Sequence, residues 1–268
     1  MDLFNSLRIS RPLTFVQGPE YQTSMNVIEI DITFKCNLKC YNCDRSCNQA
    51  PDDSTMSVLQ VKRFVDESIA GDKKWGRIRV LGGEPLIHPN ALDIIDILLE
   101  YRNKYSPYTK IEVTTNGYGP EVAGRLEKIP CDISVNNTKK TGKYQKKFEA
   151  FNEAPVDQWH YFLTDYINCC WITQDCGIGL NRYGYYQCAV AGSIDRVLGF
   201  DIGSKKLPVN ASEFSRQKRI LCKYCGHFIR RKFVPVDQRI EVKGEPRSKS
   251  WIKAYRRYDE EKPSLNLY

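Results

Sequence analysis

Cysteines 36, 40 and 43 fall within the run Thr33-Phe34-Lys35-Cys36-Asn37-Leu38-Lys39-Cys40-Tyr41-Asn42-Cys43, and their spacing constrains this chain more than any other feature. Three thiolates separated by three and then two residues can wrap one corner of a cuboidal iron–sulfur cluster. Such a cluster is normally closed by four thiolates, so a fourth iron left open implies a ligand from elsewhere. A structural zinc site is the competing interpretation. Zinc takes four ligands, usually in paired spacings, and only Cys47 follows at comparable distance in sequence.

The run sits within a repeating order of elements. Asn26–Ile32 alternates apolar and polar residues, as a strand does. Met56–Ala70 places Val58, Val61, Phe64, Val65 and Ile69 at helical spacing. Arg77–Leu81 reads as a strand ending in Gly82-Gly83-Glu84-Pro85, and Asn90–Tyr101 as a helix capped by Asn90. Lys110–Thr115 is a third strand leading into Asn116-Gly117, followed by a short helix over Pro120–Lys128 and a strand over Asp132–Asn136. This alternation predicts an α/β fold with a parallel sheet and helices packed outside it. In parallel α/β folds the functional loops follow the C-terminal ends of strands, and the cysteines, the Gly-Gly-Glu-Pro turn and Asn116-Gly117 all fall there.

Taken with these positions, the cysteine run resembles the signature of the radical S-adenosylmethionine (radical SAM) superfamily. The resemblance implies a partial (β/α)6 barrel of about six units, with a 4Fe–4S cluster on Cys36, Cys40 and Cys43. It also implies that the amino and carboxylate groups of SAM complete the open iron. Gly82, Gly83, Glu84 and Pro85 resemble the motif that binds the amino end of SAM: glycines allow close backbone approach, and Glu84 can accept hydrogen bonds from an ammonium. His88, in the continuation Leu86-Ile87-His88-Pro89, is expected to be structural. Thr115 and Asn116 resemble the third-strand end that contacts the ribose or carboxylate, with Ser134 and Asn136 as candidates for the same task. One departure concerns the adenine. The family usually carries an aromatic residue just before the third cysteine, whereas here that position is Asn42 and the ring is Tyr41. Either Tyr41 takes over the stacking or the backbone amide of this turn serves the adenine alone.

Four further cysteines, Cys176, Cys188, Cys222 and Cys225, form a second set. The segment Cys176–Cys188 resembles the hairpin that opens the SPASM and twitch extensions of this superfamily, with Gly184 near its turn among strand-favouring tyrosines. No cysteine follows Cys225, so the resemblance implies a twitch-like extension with one auxiliary 4Fe–4S cluster. A zinc site remains open, since the Cys222–Cys225 spacing fits zinc, although the Cys176–Cys188 spacing does not. Cys169 and Cys170 lie close enough in sequence for one of them to substitute as a ligand, and Cys131 reads as a buried small apolar residue. The expected organisation is a barrel over residues 1–168, an auxiliary domain over 169–235 and a basic tail over 236–268.

Composition narrows the setting. The 268 residues suffice for one large core with a smaller appendage. They contain no apolar stretch of about 18 residues and no secretory pattern at the start. Eleven cysteines then argue for metal ligation in a reducing, cytoplasmic compartment rather than disulfides. From residue 215 onward there are 15 Lys or Arg against 6 Asp or Glu, which leaves residues 1–214 at −1. Such a segment is either a solvated face or frayed tail, or it meets an anionic substrate or partner. The absence of a nucleic-acid-binding motif disfavours RNA.

The implied activity is reductive cleavage of SAM to a 5′-deoxyadenosyl radical, with hydrogen abstraction from a small polar substrate such as a sugar or cyclitol, an oxidation. A short alcohol-oxidising dehydrogenase of the family has the same layout. A flavodoxin or ferredoxin would donate the electron. No general base is identifiable, though Arg182 and Tyr183 lie in a suitable segment. The alternatives are a maturase acting on a ribosomally made peptide and a non-catalytic iron–sulfur electron carrier.

Overall fold

The computed structural model describes residues 3–145, 151–168, 170–230 and 245–268. Two short helices, α1 (Leu3–Arg8) and α2 (Arg11–Gln17), precede the first strand, β1 (Val27–Thr33), and a two-residue strand, β2 (Lys39–Cys40). Then come α3 (Val58–Ala70), β3 (Arg77–Gly82), α4 (Ala91–Lys104), β4 (Lys110–Thr115), α5 (Pro120–Leu126), β5 (Ser134–Asn137) and the two-residue β6 (Tyr144–Gln145). The second half contributes α6 (Ile172–Asp175), β7 (Ile178–Asn181), β8 (Gly184–Tyr186), α7 (Ala189–Leu198), α8 (Ser215–Leu221) and α9 (Lys249–Glu260). The main sheet runs β5-β4-β3-β1-β7-β8. Its first five strands are parallel and β8 returns antiparallel to β7.

This is the expected α/β architecture with a largely parallel sheet, and the described residues do not hold six βα units. Between β5 and β7 the described residues form the two-residue β6, short 3-10 turns and the four-residue α6. The sequence there, from Asn152 to Cys176, has no sustained apolar period of either kind.

The first core lies between one face of the sheet and its helices. Ile28, Ile30, Ile32, Ile78, Val80, Ile111 and Val113 point to that face, where Val61 and Phe64 of α3, Ile94 and Leu98 of α4 and Val122 of α5 cover them. Helix α3 starts at a capping box in which Ser57 and Gln60 satisfy each other's backbone amides. Alternation turns Glu29, Asp31 and Thr33, Arg79 and Leu81, and Glu112 and Thr114 to the opposite face.

A second core is built from aromatic residues and cysteines, among them Phe151, Tyr166, Tyr186, Phe228, Trp251, Tyr255 and Tyr258. Here the expected basic tail needs correction over its described residues. Lys249–Glu260 is a helix whose buried side, Trp251, Ala254, Tyr255 and Tyr258, packs into this core. Its positive charges occupy the other side, so net charge concealed an amphipathic stripe at helical spacing. Beyond the helix, the Tyr268 hydroxyl bonds to Glu67 of α3 at 3.0 Å.

Candidate active site

The loop after β1 carries the first three cysteines, each of them partly exposed. Their thiols are near enough to perturb one another. Burial first, and then negative charge at Cys43, pushes Cys36 and Cys40 up to about 12. Cys43 is held below its ordinary value, chiefly by a hydrogen bond from Cys47. The Cys36 sulfur also accepts from the Leu38 amide at 3.5 Å and from Asn116 Nδ2 at 3.9 Å. Among the described residues, no three His, Cys, Asp or Glu side chains converge as ligands of a single metal ion.

The Gly-Gly-Glu-Pro turn is fixed against the cysteine loop and the end of β4. A Cβ at Gly83 would lie 2.1 Å from the Lys35 carbonyl oxygen, and one at Gly82, whose φ is +139°, 2.3 Å from that of Thr33. The glycines therefore let this turn approach the backbone of the cysteine loop, and the Gly83 amide donates to Thr33 O at 2.8 Å. Glu84 is fully buried. Its Oε1 accepts from the Thr115 hydroxyl at 2.7 Å and the Leu86 amide at 3.1 Å, while Oε2 accepts from the Asn116 amide at 2.7 Å. Burial raises its pKa. The carboxylate thus latches the turn to the end of β4, and Pro85 opens the 3-10 turn beside it. His88 is structural, bonded to Met56 O and the Asn90 amide, each at 2.9 Å.

The latch sets the third-strand end. Thr115 is spent on Glu84, while Asn116 reaches Asn37 Oδ1 at 2.8 Å and so ties β4 to the cysteine loop. Ser134 and Asn136 sit on the strand beside it, Asn136 exposed. The two adenine options fare differently. The Tyr41 ring stands edge-on to Tyr144 at 5.1 Å. The Asn42 amide, in a left-handed turn, donates to the Glu245 carboxylate, which also accepts from Gln49 and, at 2.8 Å, from Asn152. That amide is therefore engaged within the protein.

Several residues around this loop had no signal in the sequence. Arg196 of α7, only 1% exposed, donates to the carbonyls of Ala50 at 3.0 Å and Arg45 at 3.1 Å and stacks 4.5 Å over the Phe34 ring. It binds the back of the cysteine loop to the second half of the molecule. Arg45 itself reaches down onto the sheet face away from the helices, to Glu29 at 3.1 Å and Asp31 at 3.4 Å. Arg79 lies between Glu29 and Glu112, 2.6 Å from each, because strand register places the three in one row.

The second cysteine set is rearranged relative to expectation. Cys188, Cys222 and Cys225 are buried in the aromatic core, as is Cys170, and Gln187 Nε2 donates to the Cys222 sulfur at 3.5 Å. Cys176 lies at the edge of that core. Burial raises its thiol, and its charged neighbours are Glu29, Arg45 and Arg79. The cause is local: Gly177 turns at φ +67°, and β7 starts beside Ile28, so Cys176 is left against the lower end of β1. Cys131 is exposed where burial was expected, and Cys169 lies outside the described residues.

With this geometry in place, comparison with known proteins is informative. Residues 30–150 match the family model described as Radical SAM superfamily. A GTP 3′,8-cyclase of Desulforamulus reducens is 33% identical over 111 residues, covering 40% of this chain and 32% of the relative. A probable GTP 3′,8-cyclase of Methanocaldococcus jannaschii is 32% identical over 90 residues, 34% of this chain and 28% of the relative. The chain thus spans about a third of the length of the curated relatives it matches. Among solved structures, BtrN in an open conformation aligns over 74% of this chain and 86% of its own at 15% identity and a TM-score of 0.41. BtrN in complex with AdoMet and 2-DOIA aligns over 60% and 58%, at 18% identity and a TM-score of 0.36. The family match spans the cysteine loop, the Gly-Gly-Glu-Pro turn and the Thr115–Asn116 strand end, and this chain carries a radical SAM superfamily domain across residues 30–150.

Proposed function

We propose that the chain is a radical SAM enzyme that abstracts hydrogen from a small polar substrate and oxidises it. The observation that carries this reading is the mutual placement of three thiols on one loop at the end of β1, next to the Glu84 latch, inside a matched radical SAM domain. Cys36, Cys40 and Cys43 fit a 4Fe–4S cluster with one open iron. Bound there, the cluster and SAM supply reductive carbon–sulfur cleavage and the 5′-deoxyadenosyl radical. The protein's own part is positional. Glu84, Asn116 and Arg196 fix the loop, Asn116 and Leu38 donate to the Cys36 sulfur, and Thr114, Ser134 and Asn136 offer hydrogen bonds along the sheet.

For the auxiliary 4Fe–4S cluster we assign Cys188, Cys222 and Cys225, with Cys170 as fourth thiolate in place of Cys176, because these four share one buried core. The cluster would accept the electron left on the substrate. A flavodoxin or ferredoxin in a reducing cytoplasm would serve as donor.

The curated relatives are named for GTP cyclisation. Against a nucleotide triphosphate here, the sheet face turned from the helices sets Glu29, Asp31, Asp44 and Glu112 against Arg45, Arg79 and the exposed Lys110. Both guanidiniums are already paired, so this face opposes an anionic substrate. The test is anaerobic incubation of reconstituted protein with SAM and dithionite. Formation of 5′-deoxyadenosine is expected, and it should be lost when Cys36, Cys40 and Cys43 are all replaced by Ala. Equal product from that variant would defeat the assignment.

A further inference from the structure

The cysteine loop is edged by a second segment, and the two together form a basic rim. Lys39–Cys40 of β2 pairs in parallel with Tyr144–Gln145 of β6. The Lys39 amide donates to Lys143 O at 2.8 Å and the Tyr41 amide to Gln145 O at 2.9 Å. The turn before β6 is tied to the end of β4, where the Lys140 amide donates to Asn116 O at 2.9 Å. These backbone bonds gather Lys35, Lys39, Lys139, Lys140 and Lys143 around the thiols, and residues 35–43 and 137–145 contain no Asp or Glu. Lys35, Lys39, Lys139 and Lys143 are exposed, and Lys140 is near enough to Cys40 to act on its thiol. The acids that flank the loop are already engaged: Asp44 pairs with Arg45 and Glu245 with Arg247, each at 2.8 Å. Within the rim the rings of Tyr41 and Tyr144 meet edge to face, with Tyr144 49% exposed. An aromatic centre edged by like charges is the composition of a protein-docking patch. Spread along two strands and a turn, the lysines suit a macromolecular surface better than a small anion. The partly exposed thiols beneath them are the redox-competent groups of the site.

We propose that this lysine rim is the docking face of an acidic one-electron carrier protein, seated over Tyr41 and Tyr144. The use of the electron rests on the radical SAM reading; the docking does not. The reduced carrier gives one electron to the site on Cys36, Cys40 and Cys43 and leaves oxidised by one unit, and no proton, bond or group moves with it. Rim charges steer encounter and make it sensitive to salt, and electron-transfer encounters use small interfaces.

The test is calorimetric titration of the anaerobic, reconstituted protein with a flavodoxin and, separately, with a 2Fe–2S ferredoxin. At least one should bind at about 50 mM salt and lose about tenfold or more in affinity at about 300 mM. Replacing Lys39, Lys139 and Lys143 together by Glu should lower the low-salt affinity about tenfold or more at unchanged iron content. The backbone bonds of the ladder do not depend on these side chains. The control makes the same change of charge elsewhere, replacing the exposed Arg216, Arg219 and Lys223 of α8 and the turn after it by Glu. Its loss should be no more than about threefold. In the rim variant, 5′-deoxyadenosine formed with the reduced carrier should fall, while that formed with excess dithionite should hold. No binding by either carrier, equal loss in the two triple variants, or a rim variant that binds as wild type would overturn the proposal. So would a uridine oligonucleotide that binds the rim more tightly than both carriers, which would make this an RNA face. If the rim variant does not fold, replacement of the same three lysines by Gln decides it, with a loss of about threefold expected and unchanged affinity counting against. Carrier binding at the rim with no 5′-deoxyadenosine from either reductant would defeat the radical reading and leave the docking face standing. Product from dithionite without carrier binding would do the reverse.

Discussion

The two cores are built from different materials. The first is aliphatic and periodic, with isoleucines and valines of β1, β3 and β4 under α3, α4 and α5. The second joins aromatic rings and cysteines from distant parts of the chain, held by contacts such as Trp251 against Phe151 at 5.3 Å and Tyr166 against Phe228 at 5.2 Å. Regular elements that bury one apolar stripe each can form a core by themselves. The first core is therefore specified by local periodicity, whereas the second is assembled from distant segments and clamped onto the cysteine loop by Arg196.

The largest effect should come from Trp251→Ala, which empties the centre of the second core and removes the indole bond to Tyr224 O. It should cost about 3–5 kcal/mol. Hydrogen exchange should show α7 and α9 losing protection while β1, β3 and β4 keep theirs; equal loss in the sheet would break the distinction between the cores. Glu84→Ala acts on the first half. It leaves the Thr115 hydroxyl and the Asn116 and Leu86 amides without their acceptor and should cost about 2–4 kcal/mol in thermal unfolding, with Glu84→Gln milder. A variant as stable as wild type would mean that the latch is dispensable.

A sharper test of the second core is the proposed auxiliary cluster. Cys170→Ala should lower iron per chain, while Cys176→Ala should leave it unchanged; the reverse order would restore the set expected from the hairpin. The smallest effect is a pH dependence. Asp31 binds its proton more tightly in the folded chain, at about 7, than the ordinary carboxylate value of 3.8. The native state thus holds the extra proton between about pH 4 and 7, and stability falls as pH rises through that window. Relative to Asp31→Asn, which does not titrate there, wild type should lose melting temperature between pH 5 and pH 8. A constant difference would show that Asp31 stays charged.

How far the sequence could be read follows the same division. β1, α3, β3, α4, β4 and α5 lie within a few residues of their expected bounds, because alternation and helical spacing are local signals. The cysteine loop, the Gly-Gly-Glu-Pro turn and the Thr115–Asn116 end are legible for the same reason. The internal partners of Glu84 were not: its residue type suits an ammonium or internal donors equally, and only the fold brings Thr115, Asn116 and Leu86 to it. Arg45, Arg196 and Glu245 act across separations that no periodicity records. Cys176 lies at the edge of the second core, a position that hairpin spacing does not reveal because it says nothing of the turn at Gly177. Trp251, Ala254, Tyr255 and Tyr258 did stand at helical spacing, beneath a surplus of charge that drew the eye to solvent.

The account depends most on the three thiols after β1 acting as one site. Anaerobic protein, reconstituted with iron and sulfide, should yield 5′-deoxyadenosine from SAM and dithionite. The variant lacking Cys36, Cys40 and Cys43 should form none while retaining about four irons per chain in the second core. Continued 5′-deoxyadenosine formation by that variant, or none from wild type with full iron content, would contradict it.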